Sequence, residues 1–133
     1  MSIQKRTDLW MTKCFDQEVI VNKHTRNMRF LEEALELVQA CGLDKEAALV
    51  LVEYVYDRPT GDIGQEIGGT LISLAALCSA HQIDMDMATD TELKRVDLMI
   101  DKIREKQSIK DQVLEAIRVR LKRNKMLEDK RHW

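Results

Sequence analysis

Glu32, Glu33 and Glu36 stand within one short stretch, and thirty residues further on Glu66 heads the string Gln65-Glu66-Ile67-Gly68-Gly69-Thr70. On a helix, carboxylates three or four residues apart share a face with Cβ atoms roughly 5–6 Å apart, and each like-charged pair costs a few tenths of a kcal/mol. Solvent, neighbouring cations or a bound metal offsets that repulsion. For Glu32, Glu33 and Glu36 taken alone, a solvated face is sufficient. Glu66 is different, because the segment around it is apolar in nearly every other sector of a helical wheel. A carboxylate buried there without a partner costs several kcal/mol or gives up its charge. Two antiparallel helices, one offering Glu33 and Glu36 and the other Glu66, would supply the oxygen-only donors that Mg²⁺ accepts alongside water and phosphate oxygens.

The elements that must position these residues are all helical. Phe30, Leu31, Ala34, Leu35, Val38 and Cys41 follow the spacing of an amphipathic helix that Gly42 stops. Asp44 caps the next, through Ala47, Leu51, Val55 and Tyr56, and Pro59 breaks the chain after Asp57 and Arg58. From Asp62 to about Gln82 the pattern predicts a helix buried on most sides, with Glu66, Gly69, Thr70 and Ser73 as its one polar stripe. Thr89 or Asp90 is expected to cap a helix through Leu93, Val96, Ile100 and Ile103. A further helix continues from Ser108 through Ile109, Val113, Ile117 and Leu121, and Asp8 to Val21 allows a first one. Asp57–Gly61 and Asp84–Asp90 are the linker candidates, and no repeat stands out. The expected architecture is an all-α bundle of five or six helices.

Composition agrees with that class. The 133 residues carry 21 Lys+Arg against 23 Asp+Glu, one Pro and five Gly, too little turn chemistry for a many-stranded sandwich. No unbroken apolar run reaches the length of a membrane span, and the N-terminus lacks the apolar core of a secretory signal, so a cytoplasmic protein is expected. Cys14, Cys41 and Cys78 are odd in number and widely spaced, which suits free thiols better than a disulfide framework or a zinc site.

Arg29-Phe30-Leu31-Glu32-Glu33-Ala34-Leu35-Glu36-Leu37, followed by Gln65-Glu66-Ile67-Gly68-Gly69-Thr70-Leu71, resembles the two halves of the metal motif in the MazG-like, all-α nucleoside triphosphate pyrophosphohydrolases. That pattern is Glu-x-x-Glu on one helix and Glu-x-x-Asp on a later one. Glu33 and Glu36 match the first half and Glu66 opens the second, while Gly69 stands where the pattern has its aspartate. The resemblance covers roughly residues 26 to 106; residues 1–107 would form the helical domain and residues 108–133 a basic helical extension of it.

What the resemblance implies is Mg²⁺-dependent hydrolysis between the α- and β-phosphates of a nucleoside triphosphate, giving the monophosphate and pyrophosphate. Glu33, Glu36 and Glu66 would be metal ligands and Glu32 an orienting residue or general base. Arg26 and Arg29, together with Lys102, Arg104 and Lys106, are the candidate phosphate cations, and Trp10 is the candidate stacking partner for the base. Homodimers or homotetramers are implied as well, since the apolar helix through Ile67 and Cys78 needs more cover than one short chain supplies.

Two other readings compete. In one, Gly69 leaves a nucleotide-binding, regulatory relative without turnover. In the other, the chain is a helical nucleic-acid or protein interaction module using residues 118–131, where seven cations face two carboxylates. The slightly acidic whole chain and the lack of a groove-reading motif count against nucleic acid.

Overall fold

The computed structural model describes residues 1–132, and every regular element among them is helical. In chain order these are α1 (Ile3–Cys14), α2 (Gln17–Ile20), α3 (Lys23–Ala40), α4 (Lys45–Tyr56), α5 (Ile63–Ala80), α6 (Met85–Asp97) and α7 (Ile100–Arg131). The all-α class is as expected, with seven helices among the described residues in place of five or six.

Local capping explains the difference. The first helix begins earlier than Asp8, because the Ser2 hydroxyl accepts the Lys5 backbone N–H at 3.2 Å. It stops at Cys14, where Phe15 turns extended, and Gln17–Ile20 is left as a separate turn. Neither Thr89 nor Asp90 caps α6; Asp84 does, accepting the Met87 N–H at 2.8 Å. Asp84–Asp90 is therefore mostly helix rather than linker, and Thr89 bonds back to the Met85 carbonyl inside it. The helix expected to run from there through Ile103 is split at Leu98 and Met99, after which α7 continues unbroken through residue 108 for 32 residues.

The chain divides into two compact units: Gln17–Thr91, and Met1–Asp16 together with the residues from Glu92 onward. In the 17–91 unit, α3 closes with Gly42 at φ 94°, its N–H reaching the Gln39 carbonyl while the Leu43 N–H reaches Val38. α5 closes the same way, with Gln82 at φ 55° bonded to Ser79 and Ile83 to Cys78. In both, the left-handed residue turns the chain so that the last carbonyls of the helix are satisfied. The N-caps repeat too: Asn22 and Asp62 open the two 18-residue helices, and Asp44 and Asp84 open the two that follow. Each pair is forty residues apart, a structural repeat that the sequence does not announce.

No residue of the 17–91 unit is buried. α5 was expected to be covered on most sides, yet Ile72 is 73% exposed and Ile67 58%, because no other helix of this unit lies over that face. Among the described residues, α5 is the one helix long and apolar enough to cross a membrane by length and composition. Gln65, Glu66, Thr70, Ser73 and Ser79 interrupt it, which is why the sequence shows no unbroken apolar run.

In the other unit, α1 packs against α7. Arg104 on α7 donates from Nε to the Cys14 carbonyl at 3.0 Å and from its terminal nitrogen to the Lys13 carbonyl, satisfying two acceptors that the end of α1 leaves open. Lys13 pairs with Asp97 at 3.0 Å. Trp10 meets Phe15 edge to face, with ring centroids 6.0 Å apart. Cys14 sits beneath these contacts as the one buried residue among those described, and burial pushes its thiol up, with Arg104 acting in the opposite direction.

Candidate carboxylate site

α3 carries Glu32, Glu33 and Glu36 about one turn apart, as the spacing required. They do not behave alike. Glu32 is half-buried and accepts Arg29 Nη1 at 3.1 Å, so its carboxylate is tied back onto its own helix one turn towards the N-terminus. Glu33 and Glu36 are exposed. The α3 face is thus inverted relative to a simple core helix: Arg26, Arg29 and Glu32 are partly covered, while Phe30, Leu31 and Leu35 are 60%, 49% and 43% exposed. Burial and the adjacent Arg29 charge hold the Arg26 guanidinium below its ordinary pKa. Two cations side by side in partial cover favour an anion between or beside them.

Glu66 lies in the first turn of α5, behind the Asp62 cap, whose carboxylate accepts the Gln65 N–H at 3.0 Å. Its side chain folds back over Gly61, where an added Cβ would collide with Glu66 Oε1. Glycine at 61 therefore makes room for the carboxylate at the N-terminal end of the helix. Glu66 is exposed in the single chain, so the buried, uncompensated carboxylate expected from the sequence is not what the unit contains. Thr70 bonds back to the Glu66 carbonyl at 2.7 Å. At Gly69 an added Cβ meets nothing within 4 Å, so the position is open to a longer side chain.

Among the described residues, no three His, Cys, Asp or Glu side chains converge tightly enough to hold a metal. Glu33, Glu36 and Glu66 belong to one unit and present hard oxygen donors, which is the right chemistry for Mg²⁺, but one chain does not gather them. The remaining candidates fall in the other unit. Lys102 and Lys106 are exposed on the first turns of α7. Trp10 lines a groove of about 260 Å³ between α1 and the end of α6, with Arg6, Leu9, Lys13, Leu93 and Asp97. The buried indole N–H of Trp10 donates to no group in the structure. Arg104, a candidate phosphate cation with Lys102 and Lys106, instead closes α1, as described above.

No protein-family model matches the chain, and neither a curated protein nor a solved structure matches it.

Proposed function

We propose that the chain is a Mg²⁺-dependent nucleoside triphosphate pyrophosphohydrolase that works as a homo-oligomer in the cytoplasm. The observation that carries this reading is the presence, within one unit, of an exposed Glu33/Glu36 face on α3 and of Glu66 at the first turn of α5. Glu33, Glu36 and Glu66 are the residues that would hold the metal, and the ion would shield the phosphates and polarise the bond that is cut. Arg29 and Arg26 lie one and two turns before the acidic pair and draw the anionic tail towards α3. Glu32, held by Arg29, fixes that guanidinium and couples the cationic stripe to the acidic one.

Oligomerisation follows from the same surface. A unit in which no residue is buried, with α4 and α5 presenting Leu49, Val50, Tyr54, Ile67 and Ile72 at half exposure or more, needs cover that another copy can provide. Assembly would also enclose the carboxylates that one chain leaves apart.

The test is pyrophosphate release from ribo- and deoxyribonucleoside triphosphates with Mg²⁺. Glu36→Gln and Glu66→Gln are each expected to lower turnover by about 100-fold or more, above the loss usual for groups that merely orient a metal's ligands. Gly69→Asp separates enzyme from silent relative: the open space at Gly69 accepts the carboxylate, and a variant that gains activity from an inactive parent would establish the regulatory reading. Release by the parent that neither glutamine variant diminishes would overturn the three-carboxylate site.

A further inference from the structure

α7 continues far beyond the part that meets α1. From Glu115 to His132 every residue is exposed, and the last five turns of the helix form an arm. At 1.5 Å per residue, 112–131 spans about 30 Å. Between Arg118 and Arg131 seven cations stand against Glu128 and Asp129, in a chain whose net charge is −2. The segregation is large: the 17–91 unit has five Lys+Arg and thirteen Asp+Glu, and the rest of the chain has sixteen and ten.

The cations are not confined to one side. At 3.6 residues per turn, Arg118, Lys122 and Lys125 fall within roughly 60° of the helix circumference, Arg123 and Lys130 lie about 130° round, and Arg120 and Arg131 about 210° round. Val119 and Met126 flank Arg123 and Lys130 in a shallow groove of about 380 Å³. This distribution discriminates among anionic partners. A helix that lies on a membrane keeps one continuous apolar face clear of charge, but here Arg123 and Lys130 stand beside Val119 and Met126, and the stripe through Ile117 and Leu121 runs on into Asn124 and Glu128. A flat acidic protein surface neutralises one stripe and leaves the others in solvent. A groove walled by phosphates on both sides meets cations on opposite flanks at once. The major groove of B-form DNA, about 12 Å wide, admits a helix of about 10–12 Å diameter, whereas the A-form major groove is too narrow.

We infer that the distal half of α7 is an arm that binds duplex DNA in its major groove through phosphate contacts on both walls. It goes beyond the hydrolase reading and stands on different residues, so either can fail without the other. Neutralised phosphates, rather than base edges, supply the affinity, because Arg and Lys dominate the arm and no Asn or Gln lies on it apart from Gln112 and Asn124.

Fluorescence anisotropy of a labelled DNA duplex of about 20 base pairs, two helical turns, titrated with the full chain at several salt concentrations, tests this. Binding is expected in the range of roughly 10⁻⁴–10⁻⁶ M near physiological salt and should weaken steeply as salt rises. Arg118→Gln/Lys122→Gln/Lys125→Gln should flatten the log–log salt slope by about 3, and Arg123→Gln/Lys130→Gln by about 2. Glutamine keeps helix propensity, and circular dichroism verifies that α7 remains folded. Failure to bind at about 50 mM salt, where phosphate contacts are strong, overturns the proposal. So does a slope that changes with only one of the two stripes, equal affinity for duplex RNA, or tighter partition to anionic vesicles than to DNA. A stripe variant that shifts the sedimentation coefficient without altering DNA binding makes the arm an interface between copies, and also overturns it.

Discussion

The α3–α4 pair and the α5–α6 pair are built on one plan, but their leading helices, α3 and α5, carry opposite surfaces. Caps, lengths and left-handed closures correspond at a forty-residue offset, from Asn22 and Asp62 through Gly42 and Gln82 to Asp44 and Asp84. Arg26 and Arg29 on α3 stand where α5 has Glu66 and Gly69. Glu33 and Glu36 stand opposite Ser73 and Ala76. The ends of a helix are thus fixed by a few local hydrogen bonds, while its faces are free to change from charged to apolar without moving those ends. The first pair sets a charged helix before an apolar one, and the second sets an apolar helix before a charged one.

The strongest way to break this comparison is to charge the apolar helix. Ile72→Arg, at a position 73% exposed in one chain, would be nearly neutral on a free surface. If another copy covers α5, the same change costs about 3 kcal/mol or more and dissociates the assembly, because a charge is buried without a partner. Gln39→Arg on α3 is the matched control and should do neither. Sedimentation and thermal melting read both.

The corresponding caps sharpen it further. Asn22→Ala and Asp62→Ala should each destabilise by about 1 kcal/mol in chemical denaturation, and by similar amounts if the two helix pairs are equivalent. The closures should differ in sign. Gly42→Ala places a side chain at φ 94° and is expected to cost about 1 kcal/mol, whereas Gln82→Gly relieves φ 55° and should stabilise by less than about 1 kcal/mol. Equal and opposite melting shifts would show that the two turns bear the same load.

The smallest effect is electrostatic. Arg95 holds the Glu92 carboxylate below its usual value of 4.5, chiefly by hydrogen bonding, with burial opposing and the Arg95 charge adding. A depressed carboxylate contributes stability above its unfolded pKa and loses it as pH falls through the folded one. Both side chains are 56% exposed, so solvent screens the pair and the loss below about pH 4.5 should be a few tenths of a kcal/mol. Glu92→Gln should remove that increment, seen as a flatter acid limb of the melting curve.

Much of this plan is legible in the residues. Gly42, Asp44, Pro59 and Asp62 mark ends by chemistry that only certain side chains perform, and the helices fell where those marks stand. Asp84 was missed because Asp84, Asp86, Thr89 and Asp90 are all competent caps, and apolar spacing cannot choose among them. Gln82 was missed because glutamine carries no signal for a left-handed turn; tertiary position imposes it. Arg104 is legible as a cation but not as a clamp, because its partners are backbone carbonyls some ninety residues away. The carboxylates were legible as residues and as helical neighbours. Their convergence was not, since it depends on how faces meet, and a single sequence encodes no partner for a face.

The clamp of Arg104 on Lys13 and Cys14 joins positions about ninety residues apart. A ribosome adding roughly 5–20 residues per second finishes α1 some 5–20 seconds before α7 arrives to receive it. Through that interval the carbonyls of Lys13 and Cys14 lack the Arg104 guanidinium, while the whole 17–91 unit is being made between them. Synthesis therefore holds the first helix in waiting until nearly the last, a window in which a chaperone that recognises short apolar helices would find its target.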